Sequence, residues 1–188
     1  LFSKTPPDIV CPHFWELIWA RGCPYSCAWC YLQGTYRIQG KQPHPYPVEE
    51  VRYSLKRFFS EVKEPQILNS GELADSLMYE FNSKYALSNW IPHFEGPENR
   101  YGHKLLILTK TVNVQNLLYL RNLYTPKHVI VSWSLNADPV AERWERGAPK
   151  VENRLKAGRD CHFAGYPVRV RIDPMVPIEN WPLHYQRL

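Results

Sequence analysis

The sequence lacks any apolar run that approaches the roughly 18 residues needed to cross a bilayer. Residues 1–10 also lack the basic and apolar regions of a signal peptide. These absences argue against a membrane protein and predict a soluble, cytoplasmic chain. Because the sequence begins with Leu1 rather than Met and ends at Leu188 within a predicted helix, we expect both termini to be truncated.

Several common catalytic motifs are missing as well. The sequence contains no G-x-x-x-x-G-K-[ST] and no G-x-G-x-x-G, so both standard nucleotide-phosphate loops are absent from it. The seven histidines are scattered and form no H-E-x-x-H, H-x-E or Cys/His protease pattern. This disfavours hydrolytic metal chemistry.

Neither sign of charge dominates the chain. The 23 Lys and Arg residues exceed the 18 Asp and Glu residues by five, and the excess is spread along the sequence. Such a charge permits a phosphate-bearing partner without requiring one. With 188 residues, 44% of them hydrophobic, the chain can bury a core, so residues 1–188 are interpreted as one domain.

Apolar, β-branched runs alternate with helical patterns. The predicted strands cover residues 17–20, 66–68, 104–109, 128–135 and 167–172. The predicted helices cover residues 47–62, a segment capped by Asp75 that carries Leu77, Met78, Phe81 and Tyr85, a segment capped by Asn113, and a segment through Val151, Leu155 and His162. This order is typical of an α/β protein with a parallel sheet and right-handed crossovers.

Two architectures fit this order, a doubly wound open sheet and an incomplete (β/α) TIM-like barrel. A full barrel needs about 250 residues, so this chain has room for about five to six βα units. In both architectures functional residues lie at the carboxyl ends of the strands. The notable residues there are a cysteine-rich loop after the first strand, Gly71 and Glu72 after the second, Lys110 after the third, Ser134 and Asn136 after the fourth, and Asp173 after the fifth.

The five cysteines are odd in number, which argues against a disulfide framework. Cys23, Cys27 and Cys30 form the pattern C-x3-C-x2-C. A [4Fe-4S] cluster held by three cysteines has one iron without a protein thiolate, and the amine and carboxylate of a small molecule can chelate that iron. The alternative is a zinc site completed by His13 or His44.

The two remaining cysteines, Cys11 and Cys161, lie far from this motif in sequence. Two thiolates cannot hold a second cluster of the same kind. Cys161 lies on a predicted helix and is interpreted as a small buried apolar residue.

The cysteine motif, with Trp29 directly before its last cysteine, resembles that of the radical S-adenosylmethionine (SAM) superfamily. Further segments resemble the spore photoproduct lyase family in content, order and spacing. They are residues 27–33, 108–118, 132–136 and 164–167, and the Asp173-Pro174 pair.

This resemblance implies an incomplete TIM-like barrel that is a radical SAM core domain and an enzyme of the radical SAM class with lyase-like chemistry. In such enzymes a reduced [4Fe-4S] cluster cleaves SAM to methionine and a 5′-deoxyadenosyl radical, which abstracts hydrogen from the substrate. It implies that Cys23, Cys27 and Cys30 bind three irons. A reductant such as flavodoxin or ferredoxin is the implied protein partner.

The resemblance also implies individual cofactor contacts. Trp29 and Tyr31 stand where the family has tyrosines beside the cofactor, and Lys110 and Ser134 match positions that contact SAM. Glu72 stands where the family carries a hydrogen-donating cysteine, just after the second strand. Gly71 and Glu72 instead resemble the Gly-Glu element that binds the SAM ammonium across the wider superfamily.

The residues themselves agree with these roles. A cofactor with a carboxylate, an ammonium and ribose hydroxyls needs a cation, an anion and small polar groups. Lys110, Glu72 and the pair Ser134 and Asn136 supply that set. The candidate catalytic residues are Glu72, Tyr31 and Asp173.

Two further features leave alternatives open. The basic and aromatic loop at residues 34–44 is compatible with nucleic-acid contact or with a solvated cover over the cluster. Arg169, Arg171 and Asp173 share one face of the fifth predicted strand. That face either lines the barrel, where buried charges require partners, or pairs with a covering helix.

The sequence therefore predicts hydrogen abstraction from an unidentified substrate, with DNA or a nucleotide favoured. The alternative is a non-catalytic, cluster- or zinc-stabilised nucleic-acid-binding domain. A third hypothesis is a radical enzyme that acts on a peptide or tRNA. The sequence predicts no particular oligomeric state.

Overall fold

The computed structural model describes residues 2–4, 8, 10, 14–37, 40 and 42–188. Cys11 and His13 lie outside the described residues, as do residues 38, 39 and 41 of the basic and aromatic loop. Within the described part of the chain, no helix combines the length and the apolar character needed to span a membrane.

The secondary structure alternates between strands and helices as predicted. The strands of the described residues are β1 (Phe2–Lys4), β2 (Trp15–Leu17), β3 (Ala20–Arg21), β4 (Ser26–Cys27), β5 (His44–Pro45), β6 (Ile67–Asn69), β7 (Lys104–Thr109), β8 (Val129–Leu135), β9 (Glu145–Arg146) and β10 (Val168–Ile172). The helices are α1 (Val48–Glu61), α2 (Ile91–Glu95), α3 (Gln115–Leu120), α4 (Asp138–Trp144), α5 (Val151–Phe163) and α6 (Trp181–Gln186). A π-helical turn at Gln33–Arg37 and a 3-10 turn at Leu87–Trp90 complete the set.

The main sheet has the strand order β1-β2-β6-β7-β8-β10. β1 pairs antiparallel with β2, and every other neighbouring pair is parallel. The five parallel strands therefore follow one another in chain order. In a doubly wound sheet, the spatial order of the strands reverses part-way across the sheet. No such reversal occurs among these five strands, so the topology confirms the predicted incomplete barrel.

The core forms around the central strands β7 and β8. Leu105 and Ile107 of β7 and Val131 of β8 are completely buried, as expected for a parallel sheet that is covered on both faces. Helix α1 adds an apolar stripe at helical spacing to the same core, made of Val51, Leu55, Phe58 and Phe59. This packing holds the carboxyl ends of the strands in a fixed arrangement.

The helix predicted after Asp75 is wrong, because residues 76–85 form a series of turns. The Asp75 carboxylate accepts hydrogen bonds from the Leu77 N–H at 3.1 Å and from Thr109 Oγ1 at 2.7 Å, so it caps a turn and binds that turn to the neighbouring strand. The buried Glu80 carboxylate accepts a bond from the Ser88 N–H at 3.0 Å. These long-range hydrogen bonds hold the chain in turns despite the helical spacing of its apolar residues.

The first parallel strand lies two residues earlier than predicted. Residues 15–17 form β2, whereas Trp19 lies in a loop and donates its indole N–H to the Ser70 carbonyl at 3.0 Å. Residues 20–21 leave the main sheet and pair with β5. The apolar run at 17–20 is therefore divided between the end of β2, a short loop and the small sheet of β3 and β5.

Replacement of Leu105 by alanine tests the central position of β7. Leu105 pairs with Leu68 and Val129 on its two sides and is completely buried. We expect Leu105→Ala to lower the free energy of unfolding by about 2–5 kcal/mol, because it leaves a cavity in the core. Leu123, which is 59% exposed, is the control, and Leu123→Ala should change stability by less than about 0.5 kcal/mol. Equal losses in urea unfolding would contradict this description of the core.

Candidate active site

A cavity of about 420 Å³ lies at the carboxyl ends of the parallel strands. Every site residue predicted from the sequence except Asn136 lines it. They are Cys23, Cys27, Trp29, Cys30, Tyr31, Gly71, Glu72, Lys110, Ser134 and Asp173. The fold thus brings together side chains from five separate strand ends.

The cysteine-rich loop is anchored on both sides. At its start, the Gly22 N–H donates to the Leu73 carbonyl at 2.8 Å, which ties the loop to the segment after β6. In its middle, β4 pairs antiparallel with β9, with Cys27 opposite Glu145. The Ala28 N–H extends this pairing by donating to the Trp144 carbonyl at 2.9 Å. The three cysteines are therefore held by contacts with distant parts of the chain.

The three cysteines all line the cavity. Burial raises the pKa of Cys23 to about 12 and that of Cys27 to about 11. Deprotonation of such thiols requires a bound soft cation, and thiolates suit iron–sulfur clusters or zinc. Among the described residues, no three His, Cys, Asp or Glu side chains converge on one point as a single ion requires. Three thiols at this spacing suit a cluster in which each cysteine binds a different iron.

Glu72 and Tyr31 are in contact at the cavity. The Tyr31 hydroxyl donates a hydrogen bond to the Glu72 carbonyl, and Asn69 Nδ2 donates to Glu72 Oε2 at 3.1 Å. Burial raises the pKa of the Glu72 carboxyl, and Glu16 raises it further, while Arg171 opposes both effects. Glu72 is thus a partly buried acid that faces the cavity and is oriented by neighbouring side chains.

Lys110 occupies the end of β7. Its backbone N–H donates to Asp75 Oδ2 at 2.7 Å, and its Nζ lies 3.7 Å from Glu145 Oε1. Glu145 and Arg154, which pair at 2.6 Å, were not predicted from the sequence, and Asp75 was predicted only as a helix cap. Arg154 lies at helical spacing with the buried residues Val151 and Cys161 of α5, and this position is the sequence signal that could have identified it.

Ser134 and Asn136 take different positions after β8. Ser134 lines the cavity, whereas Asn136 is completely buried beside it. Asn136 Nδ2 donates to the Pro174 carbonyl at 2.9 Å, and its Oδ1 accepts a bond from the Tyr185 hydroxyl. The structure therefore gives Asn136 contacts that hold the turn after β10, and it does not place Asn136 on the cavity wall.

Strand β10 resolves the alternative left open for its charged face. Arg171 and Asp173 line the cavity, while Val168 and Val170 face a separate groove against α5. Because side chains alternate along a strand, Arg171 and Asp173 lie on the same side of β10. The charged face of β10 thus points into the barrel, and Arg171 is a cavity residue that the sequence alone could not assign.

The family model described as spore photoproduct lyase matches residues 14–188. The chain belongs to the spore photoproduct lyase family. A curated relative, the spore photoproduct lyase of Bacillus subtilis (strain 168), is 27% identical over 173 residues, which cover 90% of this chain and 48% of the relative.

Solved structures share the fold. A spore photoproduct lyase mutant with bound AdoMet and dinucleoside spore photoproduct matches 100% of this chain and 52% of its own length, with 22% identity and a TM-score of 0.83. Native anSMEcpe with bound AdoMet matches 82% of this chain and 42% of its own length, with 13% identity and a TM-score of 0.58. The chain thus spans about half the length of the relatives it matches.

Replacement of Gly71 by alanine tests the close packing of Gly71 against Leu108. A Cβ at Gly71 would lie 2.5 Å from Leu108 Cβ and 2.7 Å from the Leu108 carbonyl oxygen. We therefore expect Gly71→Ala to lower the free energy of unfolding by about 1–3 kcal/mol. Gly34→Ala is the matched control, because a Cβ there meets no atom within 4 Å among the described residues. Identical denaturation midpoints for the two variants would show that the Gly71 loop can shift freely.

Proposed function

We propose that this chain is the core domain of a radical SAM enzyme that holds a [4Fe-4S] cluster on Cys23, Cys27 and Cys30. The observation that carries the proposal is the composition of one cavity, which combines three thiols, an acid, a lysine and a hydroxyl. Family membership supports the same conclusion, as do relatives that were solved with AdoMet bound.

The polar groups of the cavity match SAM group by group. Glu72 supplies an anion for the ammonium of the methionine moiety, and Lys110 supplies a cation for its carboxylate. Ser134 and Asp173 can hydrogen-bond the ribose hydroxyls, and Trp29 and Tyr31 add aromatic surface next to the cysteines. When bound, the reduced cluster and SAM supply a 5′-deoxyadenosyl radical for hydrogen abstraction.

The chain's own residues bind, orient and shelter these groups. Burial of Cys27 and the partial burial of Cys23 and Cys30 limit the access of water to the thiols. The hydrogen bond from Asn69 and the neighbouring Tyr31 restrict the Glu72 side chain. Electrons for the cluster would come from a reductant such as flavodoxin or ferredoxin.

For the substrate we propose DNA or a nucleotide. Arg171 lies in the same cavity and suits an anionic group, and relatives were solved with dinucleoside spore photoproduct. Glu72 occupies the place of the family's hydrogen-donating cysteine, so the return of hydrogen to the product would follow another route in this chain. A non-catalytic scaffold gains no support, because it would not need the acid, lysine and hydroxyl of a SAM site.

Anaerobic reconstitution with iron and sulfide tests the function directly. We expect a four-iron EPR signal in the reduced protein that changes when SAM is added, because SAM would bind the iron that lacks a thiolate. Cys27→Ala should abolish both the cluster signal and SAM cleavage. Cys161→Ala, which removes a buried thiol on α5, should retain both. A signal indifferent to SAM, or full SAM cleavage by Cys27→Ala, would contradict the proposal.

The pH dependence of SAM binding tests Glu72. Because the pKa of Glu72 is raised, its proton returns at a higher pH than for an ordinary glutamate. SAM affinity should therefore fall as the pH is lowered through that pKa, at a higher pH than an ordinary glutamate would give. Glu72→Gln should retain the cluster, weaken SAM binding roughly 10- to 100-fold and remove this pH dependence.

Glu64→Gln, which changes an exposed acid before β6, is the control and should match the wild type. The measurement is the dissociation constant of SAM over the pH range in which the cluster stays intact. Unchanged affinity in Glu72→Gln would exclude Glu72 from the cofactor site.

A further inference from the structure

Glu145 is a buried acid that the proposed chemistry does not use. It directly follows α4, and its side chain is only 1% exposed. Its two oxygens contact different cations: Oε2 lies 2.6 Å from Arg154 Nη1, and Oε1 lies 3.7 Å from Lys110 Nζ. The contact with Arg154 is an ion pair rather than a well-aligned hydrogen bond. A buried carboxylate between two cations requires a structural or functional reason.

The backbone of Glu145 holds the cysteine-rich loop. Glu145 pairs with Cys27 in the small antiparallel sheet of β4 and β9, and Arg146 pairs with Ser26. The neighbouring Trp144 carbonyl accepts the Ala28 N–H at 2.9 Å. The position of the Glu145 backbone therefore sets the position of Cys27.

Arg154 extends the same network to the end of β8. Its Nη1 donates to the Ser134 carbonyl at 3.1 Å, and its Nε donates to the Pro149 carbonyl at 2.7 Å. The Arg154 side chain is as deeply buried as that of Glu145. Glu145 thus connects to the cysteine loop through its backbone, and to Lys110 and Arg154 through its carboxylate.

Lys110 lies between two acids. Its Nζ contacts the Glu145 carboxylate, which also pairs with Arg154, and its backbone N–H donates to Asp75. Lys110 carries the looser contact, and its side chain is 16% exposed against 1% for Glu145. Its ammonium can therefore keep its contact with Glu145 while it donates to an anion in the cavity.

We propose that Glu145 is a positioning residue, which orients the Lys110 ammonium toward the cavity and holds it in register with the Cys27 strand. The proposal rests on the proposed function, because the anion that Lys110 would meet is the SAM carboxylate. Through the backbone and side chain of this one residue, the loop that binds the cluster and the cation that binds the cofactor keep a common geometry. Glu145 itself touches neither group.

Hydrogen–deuterium exchange of the whole chain tests the first half of the proposal and needs no cofactor. In Glu145→Gln, the amides of residues 26–28 should exchange at least roughly tenfold faster, because the buried ion pair behind β9 is broken. Peptides from residues 104–109 should keep their protection. Glu142→Gln, which changes an exposed acid on α4, is the matched control and should exchange like the wild type. Unchanged protection of residues 26–28 in Glu145→Gln would overturn this half.

A double-mutant cycle on SAM affinity tests the second half. In reconstituted protein, Glu145→Gln should raise the dissociation constant of SAM roughly 10- to 100-fold, as is usual for residues that orient a binding group. In the Lys110→Met background the same change should have less than about a twofold effect, because the side chain through which it acts is gone. Additive effects of the two substitutions would show a purely structural role and refute the proposal.

Glu145→Asp is the second variant if Glu145→Gln does not fold. It retains the charge, but its shorter side chain cannot reach both cations, so SAM affinity should fall only when Lys110 is present. An equal fall in the Lys110→Met background would refute the proposal here too. If the wild type binds neither cluster nor SAM, the proposed function fails, while the exchange experiment still decides whether Glu145 holds residues 26–28.

Discussion

Parallel pairing of five strands is the constraint on which the rest of this structure depends. Parallel strands in one sheet run in the same direction, so their carboxyl ends meet at one edge. β2, β6, β7, β8 and β10 are neighbours in chain order, and each contributes the residues that follow it to the same cavity. Residues as distant in sequence as Cys23 and Asp173 become neighbours in this way. The apolar core of β7 and β8 supplies the free energy that keeps this edge in place.

Buried carboxylates then fix the loops at that edge. Loops lack the regular hydrogen bonds of helices and strands, and a buried charge is tolerated only with partners. Asp75 accepts bonds from Thr109 and Lys110, and so joins the segment after β6 to the end of β7. Glu145 joins the cysteine loop to α5 through Arg154. The polar residues around the cavity thus divide into those that face it and those that hold the loops behind it.

The outcomes of the sequence predictions follow from the range of the interactions concerned. The parallel sheet and the helices α1, α3 and α5 were predicted correctly, because apolar periodicity is a local property. The helix after Asp75 was not, because residues 76–85 have helical spacing but are held by bonds to distant groups. Asn136 has the chemistry of a cofactor ligand, but the turn after β10 uses its amide. These differences arise where a side chain forms hydrogen bonds with the backbone of a segment that is far away in the sequence.

The sequence by itself determined the family of the protein and most of the candidate residues that line its cavity. The cysteine spacing, the Gly71-Glu72 pair and Lys110 are recognisable without coordinates, since each consists of a residue type at a set distance from a strand or from another of these residues. Only the tertiary structure decided that Arg171 faces the cavity and that Glu145 and Arg154 lie buried behind it. A charged residue looks the same in sequence whether solvent or another chain segment surrounds it. Its environment is set by packing between segments that are far apart along the chain.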